Sequence, residues 1–144
     1  MKNLTFFLAL ILVAFNCKSK SQVAQHTVTS IILSETTRGT QRVFKWTPEN
    51  IEKSVNGNNA TSPILLSDWN SIVKTANEID FNKISTFEST STKRFTDAAL
   101  ASVITITKDG KEYHSTTFDS GNPPKELKNL YDLIRKLTEN KKSN

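Results

Sequence analysis

The sequence predicts an α+β domain: an antiparallel sheet of about four to five strands, with two helices packed on one face. Two observations lead there. Apolar residues alternate in short runs separated by glycine-bearing turns, the pattern of half-buried hairpin strands. Two other segments repeat their apolar residues at offsets 0, 3, 4, 7 and 10, which gives a helix one apolar stripe. A helix with a single stripe needs a surface to cover, and a sheet supplies it.

The elements follow in order. Residues 28–33 are apolar and β-branched, as a buried strand requires. Thr36-Thr37-Arg38-Gly39-Thr40 is a turn, with Gly39 free to take positive φ. In residues 41–47, Arg42, Phe44 and Trp46 share one face of a strand, and Val43 and Lys45 share the other. These two strands form a hairpin, and Pro48 ends or bends the second. Ile51, Lys53 and Val55 alternate with Glu52 and Ser54, which predicts a third short strand; a helical turn from Thr47-Pro48 is the competing reading. Residues 56–62 read as a loop by composition, and the sequon at Asn59 is a chance match.

Ser67 is the expected N-cap of the first helix, with Asp68 in its first turn. Trp69, Ile72, Val73, Ala76 and Ile79 form its stripe. Residues 80–94 are irregular, anchored by Phe81, Ile84 and Phe87. A strand over 100–107 meets its return partner, 111–118, through the two-residue turn Asp109-Gly110. After a turn over 119–124, Pro124 suits the first turn of a second helix, whose stripe is Leu127, Leu130, Tyr131, Ile134 and Leu137. The order is β-β-(β)-α-β-β-α.

At 144 residues, 36% hydrophobic and 23% charged, the chain suits one ordinary domain. Its net charge is +5, or +4 once Lys2 is removed with a leader. A nucleic-acid footprint needs clustered cations with interleaved aromatics. Here the cations are spread; even residues 125–142 mix six cations with three acids. A mildly basic solvated surface is the expectation, with no nucleic-acid partner.

The N-terminus has its own logic. Lys2 precedes an apolar run over residues 4–15, broken only by Thr5. As a helix that run spans about 18 Å, short of the roughly 30 Å of a bilayer core and right for the apolar region of an export signal. It ends in Leu12-Val13-Ala14-Phe15-Asn16-Cys17, which holds the one cysteine of the chain. A lone cysteine makes no intrachain disulfide. The segment resembles a lipobox, where a signal peptidase cleaves before a cysteine that is then acylated. Ala14 and Asn16 depart from the usual Leu and small residue, in the manner of the looser Bacteroidota-type box with Asn before the cysteine and Lys after it. The resemblance implies cleavage after Asn16, lipid on Cys17, and a membrane-anchored lipoprotein of the cell envelope, on its periplasmic or surface face. Ordinary secretion with cleavage after a small residue such as Ala24 is the competing reading. The predicted organisation is a signal peptide over 1–16, lipidated Cys17 and tether over 17–26, a single α+β domain over 27–139, and a disordered tail over 140–144.

The run Arg94-Phe95-Thr96-Asp97-Ala98-Ala99, a strand, Asp109-Gly110-Lys111-Glu112-Tyr113, then Phe118-Asp119-Ser120-Gly121-Asn122-Pro123-Pro124 and a closing helix resembles small uncharacterised lipoproteins of the same bacterial group. That likeness covers roughly residues 65–138 and implies no activity.

Chemistry-bearing residues are sparse. The only histidines are His26 in the tether and His114 in a strand, so no metal or other cofactor is expected. No phosphate loop, dinucleotide fingerprint or nucleophile elbow occurs. Asp119-Ser120-Gly121 reads as a loop, with Asp119 capping backbone amides and Gly121 at positive φ. Arg94, Asp97 and Asp119 are the candidate polar cluster, because the predicted hairpin brings its open ends together. They form either a carboxylate pair with a cation, suited to acid–base work or ligand capture, or an ion pair with two turn caps; the structural reading is preferred. Trp46 and Trp69 are expected in the core. The expectation is therefore a non-enzymatic, lipid-anchored binding or interaction module with an unidentified envelope partner or ligand. The alternatives are a structural envelope component and a small hydrolase using Asp97 and Asp119.

Overall fold

The computed structural model describes residues 27–139. The expected signal peptide over 1–16, the expected lipidated Cys17 and tether over 17–26, and the expected tail over 140–144 lie outside the described residues. The elements are β1 (Val28–Thr37), β2 (Thr40–Trp46), β3 (Asn50–Val55), β4 (Asn58–Pro63), α1 (Leu66–Ala76), β5 (Ala101–Lys108), β6 (Lys111–His114), β7 (Phe118–Asp119) and α2 (Lys128–Glu139). The fold is α+β: an open antiparallel sheet in the order β4-β3-β2-β1-β5-β6, with β7 pairing the other end of β5.

Ten-residue β1 is the central strand, and its alternation sets the two faces. Ile31 and Leu33 point to the helices, opposite Trp46 and Phe44 on β2 and Ile106 and Ile104 on β5. Ile51, Trp69, Ile72, Ala76, Phe118, Leu130, Tyr131 and Ile134 close the same core. Each large apolar side chain buried there stabilises by about 1.5–3 kcal/mol. Ser30, Ile32, Ser34, Val43, Val103, Thr105 and Thr107 stand on the other, partly solvated face.

The sheet has seven strands rather than four or five, and the reasons are local. The stretch expected as a loop is instead an edge strand. Asn56 and Gly57 take φ 49° and 83°, a tight left-handed turn that lets residues 58–63 fold back on β3. The strand is polar because it lies at the edge with little to bury. The third strand forms, and Thr47 N–H donates to the Asn50 carbonyl (3.0 Å) in a hairpin turn, so no helix starts at Pro48.

The return strand splits. Its pairing moves from Thr105–His114 to Ser102–Phe118, one residue out of step. At the break, Ile104 N–H donates to Ser115 Oγ (3.0 Å), a side chain filling the place of a backbone acceptor. The Asp109-Gly110 turn is as expected, at φ 53° and 74°, whereas Gly39 does not take positive φ. Helix α1 begins two residues earlier than expected. Leu65 precedes it without any side-chain cap, its carbonyl accepting from Asp68 N–H and Trp69 N–H, and Ser67 lies within the first turn. Pro124 precedes a short 3-10 turn, Lys125–Leu127, that leads into α2.

The strict alternation of β1 gives a direct test. Leu33→Ala should destabilise the domain by about 2–5 kcal/mol. The neighbouring Ile32→Thr, on the solvated face, should cost less than about 1 kcal/mol. Urea titration followed by tryptophan fluorescence reads both.

Candidate functional site

The predicted trio is resolved into two unrelated pairs. Asp119, at the end of β7, is fully buried and accepts from Lys93 N–H (2.7 Å), Arg94 N–H (3.1 Å) and Arg94 Nη1 (2.9 Å). Arg94 Nη1 also reaches Ser89 Oγ and the Ser91 carbonyl. Burial pushes the Asp119 carboxyl upward, but hydrogen bonds from Ser91, the Arg94 side chain and the Arg94 and Lys93 amides outweigh it and hold the pKa at about 2. Asp97 is half-exposed and separate: it pairs with Arg38 (3.2 Å) and accepts from Thr37 Oγ1 (3.2 Å). With φ 54°, it also closes the 3-10 turn Lys93–Thr96. Asp119 therefore has its oxygens engaged by the segment that it fastens to β5.

His114 is exposed, with Nδ1 3.0 Å from Thr105 Oγ1 and Nε2 3.7 Å from Glu112. Among the described residues no group of His, Cys, Asp and Glu side chains is arranged to hold a metal ion.

The other polar constellation lies under α2. Glu35 follows Ile31 and Leu33 on the core face of β1, and is fully buried. Its Oε1 accepts from Ser120 Oγ (2.6 Å), and its Oε2 lies 3.5 Å from Arg135 Nη1 and 4.0 Å from Arg42 Nη1. Ser120 has one proton and gives it to Glu35, so Tyr131 O–H points to Ser120 Oγ (3.4 Å) while Gly121 N–H donates to Tyr131 Oη (2.8 Å). A carboxylate so buried is tolerable only with such partners. The result ties β1, β2, the loop after β7, and α2 together.

Beside this cluster, α2 leaves a groove over β2, β3 and β4. Arg42, Phe44, Lys53, Val55, Arg135, Thr138 and Glu139 line one hollow of about 230 Å³. A second, of about 200 Å³, shares Lys53 and Thr138 and adds Ile51, Ala60, Thr61, Ser62 and Leu137. Register explains the lining: Phe44 pairs with Lys53, and Arg42 with Val55, so two cations and two apolar residues stand on the helix side together. Three cations face one lining carboxylate, Glu139, which Arg135 Nη2 contacts at 3.4 Å. The lining thus joins apolar residues to three cations, two of which, Arg135 and Arg42, lie near the buried Glu35.

The sequence reading missed Glu35, Lys53 and Arg135 as a group. One clue was present: Arg42 falls on the apolar face of its strand. The chain matches no protein-family model, no curated protein and no solved structure.

The Arg94–Asp119 pair predicts an acid limb. The Asp119 carboxyl is held below its ordinary value of 3.8, so its contribution is present above that pH and is lost as pH falls towards about 2. Urea titrations at about pH 6 and about pH 2.5 should show a smaller loss for Asp119→Asn than for the wild type. At neutral pH Asp119→Ala should cost about 3–5 kcal/mol by leaving Arg94 unpaired, whereas Asp97→Ala should cost less than about 1 kcal/mol.

Proposed function

We propose that this chain is a lipid-anchored protein of the cell envelope whose domain is a non-enzymatic binding module, and that its site is the groove between α2 and β2–β4. The observation that carries the reading is the combination in that groove of apolar walls (Phe44, Val55, Ile51, Leu137) with the cations Arg42, Lys53 and Arg135. Binding sites for small molecules join a mostly apolar surface to a few placed polar groups. The ligand class this chemistry recognises is an anion with an apolar body, such as a fatty carboxylate. Each hollow is smaller than the roughly 300–1,000 Å³ typical of such sites, and the two adjoin through Lys53 and Thr138.

Export and anchoring rest on the apolar run over residues 4–15 and the box ending at Cys17. One acyl chain gives only marginal membrane binding, so the two or three of a bacterial lipoprotein are what make an anchor durable. Among the described residues no helix is long and apolar enough to cross a membrane.

Two measurements test the reading. The intact mass of the membrane-extracted protein should equal a chain beginning at Cys17 plus two or three acyl chains; an unmodified chain beginning near residue 25 contradicts the anchor. Dodecanoate titrated into the protein should bind with micromolar affinity, and dodecanol much more weakly. Lys53→Ala combined with Arg42→Ala should weaken dodecanoate binding by about tenfold or more, each lost charge-assisted contact being worth about 1.5–3 kcal/mol at most. Equal affinity for acid and alcohol, or an unaffected double variant, contradicts the site.

A further inference from the structure

The domain also has two distinguishable ends. Strand β1 begins at Val28, and Thr27 N–H donates to Asp109 Oδ1 (2.9 Å), so the N-terminal segment joins the domain at the β5–β6 turn. The same end of the sheet carries the β2–β3 turn, since Asn50 pairs with Pro63 and Val28 with Lys108. Helix α1 starts there too, directly after β4, and its C-cap Asn77 accepts from Lys108 Nζ (3.0 Å).

Two apolar features sit at opposite corners of this end. At the β4 corner, Leu65 and Leu66 are 67% and 68% exposed, side by side. Among the described residues one other large apolar side chain is as exposed, Phe95 (74%), and the Arg94 guanidinium lies over its ring (4.4 Å); the two leucines are adjacent and have no such cover. At the β5–β6 corner, Phe81 and Tyr113 are in contact (5.0 Å between centroids), with Lys108 over one ring (4.8 Å) and Lys111 over the other (4.9 Å). Tyrosine and lysine are the residue types that suit the headgroup layer, with apolar stems and polar tips.

The chain joins between the corners, because the sheet order is β4-β3-β2-β1-β5-β6. Three strand spacings, about 14 Å, separate β1 from β4. Ten residues, Cys17 to His26, precede the domain, so the chain can separate Cys17 from Thr27 by at most about 33–36 Å. On the anchoring reading, a chain of that length keeps the joining end, with both corners, within that reach of the bilayer that carries the lipid.

We infer that this end of the domain is a membrane-docking surface: Leu65 and Leu66 insert at the bilayer interface, and Tyr113, Lys108 and Lys111 rest on the headgroups at the other corner. The occupant is the lipid surface that holds Cys17, so the inference rests on the anchoring reading of the chain. Docking fixes the domain's orientation, leaving Arg42 and Val55 of the first hollow at the far end of the strands, away from the bilayer, while the second hollow extends back towards Ile51 and Ser62.

The test uses the full acylated chain in vesicles of phosphatidylethanolamine and phosphatidylglycerol. An environment-sensitive fluorophore is placed on Leu66→Cys or, as the far-end control, on Asn58→Cys. Lipids carrying a shallow spin label should quench the probe at position 66 several-fold more than the probe at 58. Adding Leu65→Ser to the Leu66→Cys chain should reduce that quenching. Equal quenching at 66 and 58, in protein whose mass shows the acyl chains, overturns the docking surface while leaving the anchor intact. A probe at 66 that shifts to the blue without being quenched by lipid reports cover by a second copy and also overturns it. A mass without acyl chains removes the anchor, and the inference falls with it.

Discussion

A single buried carboxylate organises the half of the domain that matters most for the proposed site. Glu35 occupies a core position on the central strand, where an apolar residue would be expected from Ile31 and Leu33 before it. Its charge is met by Ser120 from the loop after β7 and by Arg135 from α2, with Arg42 of β2 at longer range. Remove the carboxylate and Arg135 has no buried partner, and Ser120 keeps only the longer contact to Tyr131, so the loop and helix lose their link to β1. Apolar packing alone would hold α2 on the sheet. The carboxylate adds a common contact between α2 and β2, and so relates the positions of Arg135 and Arg42 in the groove.

Much of the fold was legible from periodicity. Both helix stripes, the first hairpin and the Asp109-Gly110 turn follow from residue spacing, because each segment buries one face and its pattern records which. What composition concealed was an edge strand. Residues 58–63 have little to bury and so carry no alternation, yet the left-handed pair Asn56-Gly57 turns them onto β3. The break between β6 and β7 was equally silent, because Ser115 supplies a missing acceptor through its side chain. Of the predicted polar trio, sequence proximity to the hairpin ends was enough to find Arg94 with Asp119, but Asp97 turned to Arg38 across the β1–β2 turn. The groove escaped because its members come from β2, β3 and α2, and only register and helix docking bring them together.

The two ends of the domain then have different physics. One end gathers the chain's point of attachment, two exposed leucines and an aromatic–lysine corner. The other gathers a buried carboxylate and three cations over apolar walls. In the proposed reading the first end meets the bilayer and the second faces away from it, where an amphiphilic anion would be met. The Arg94–Asp119 lock belongs to neither end's chemistry: it fastens residues 93–96 to the sheet, and its worth is in stability.

The measurement that tests the central claim most directly is an amide chemical-shift map of the domain during dodecanoate titration. The account predicts saturable shifts concentrated at Arg42, Phe44, Lys53, Arg135 and Thr138, with residues on the solvated face such as Ile32 and Val103 unmoved. Shifts confined to that open face, or none at millimolar dodecanoate, would contradict it.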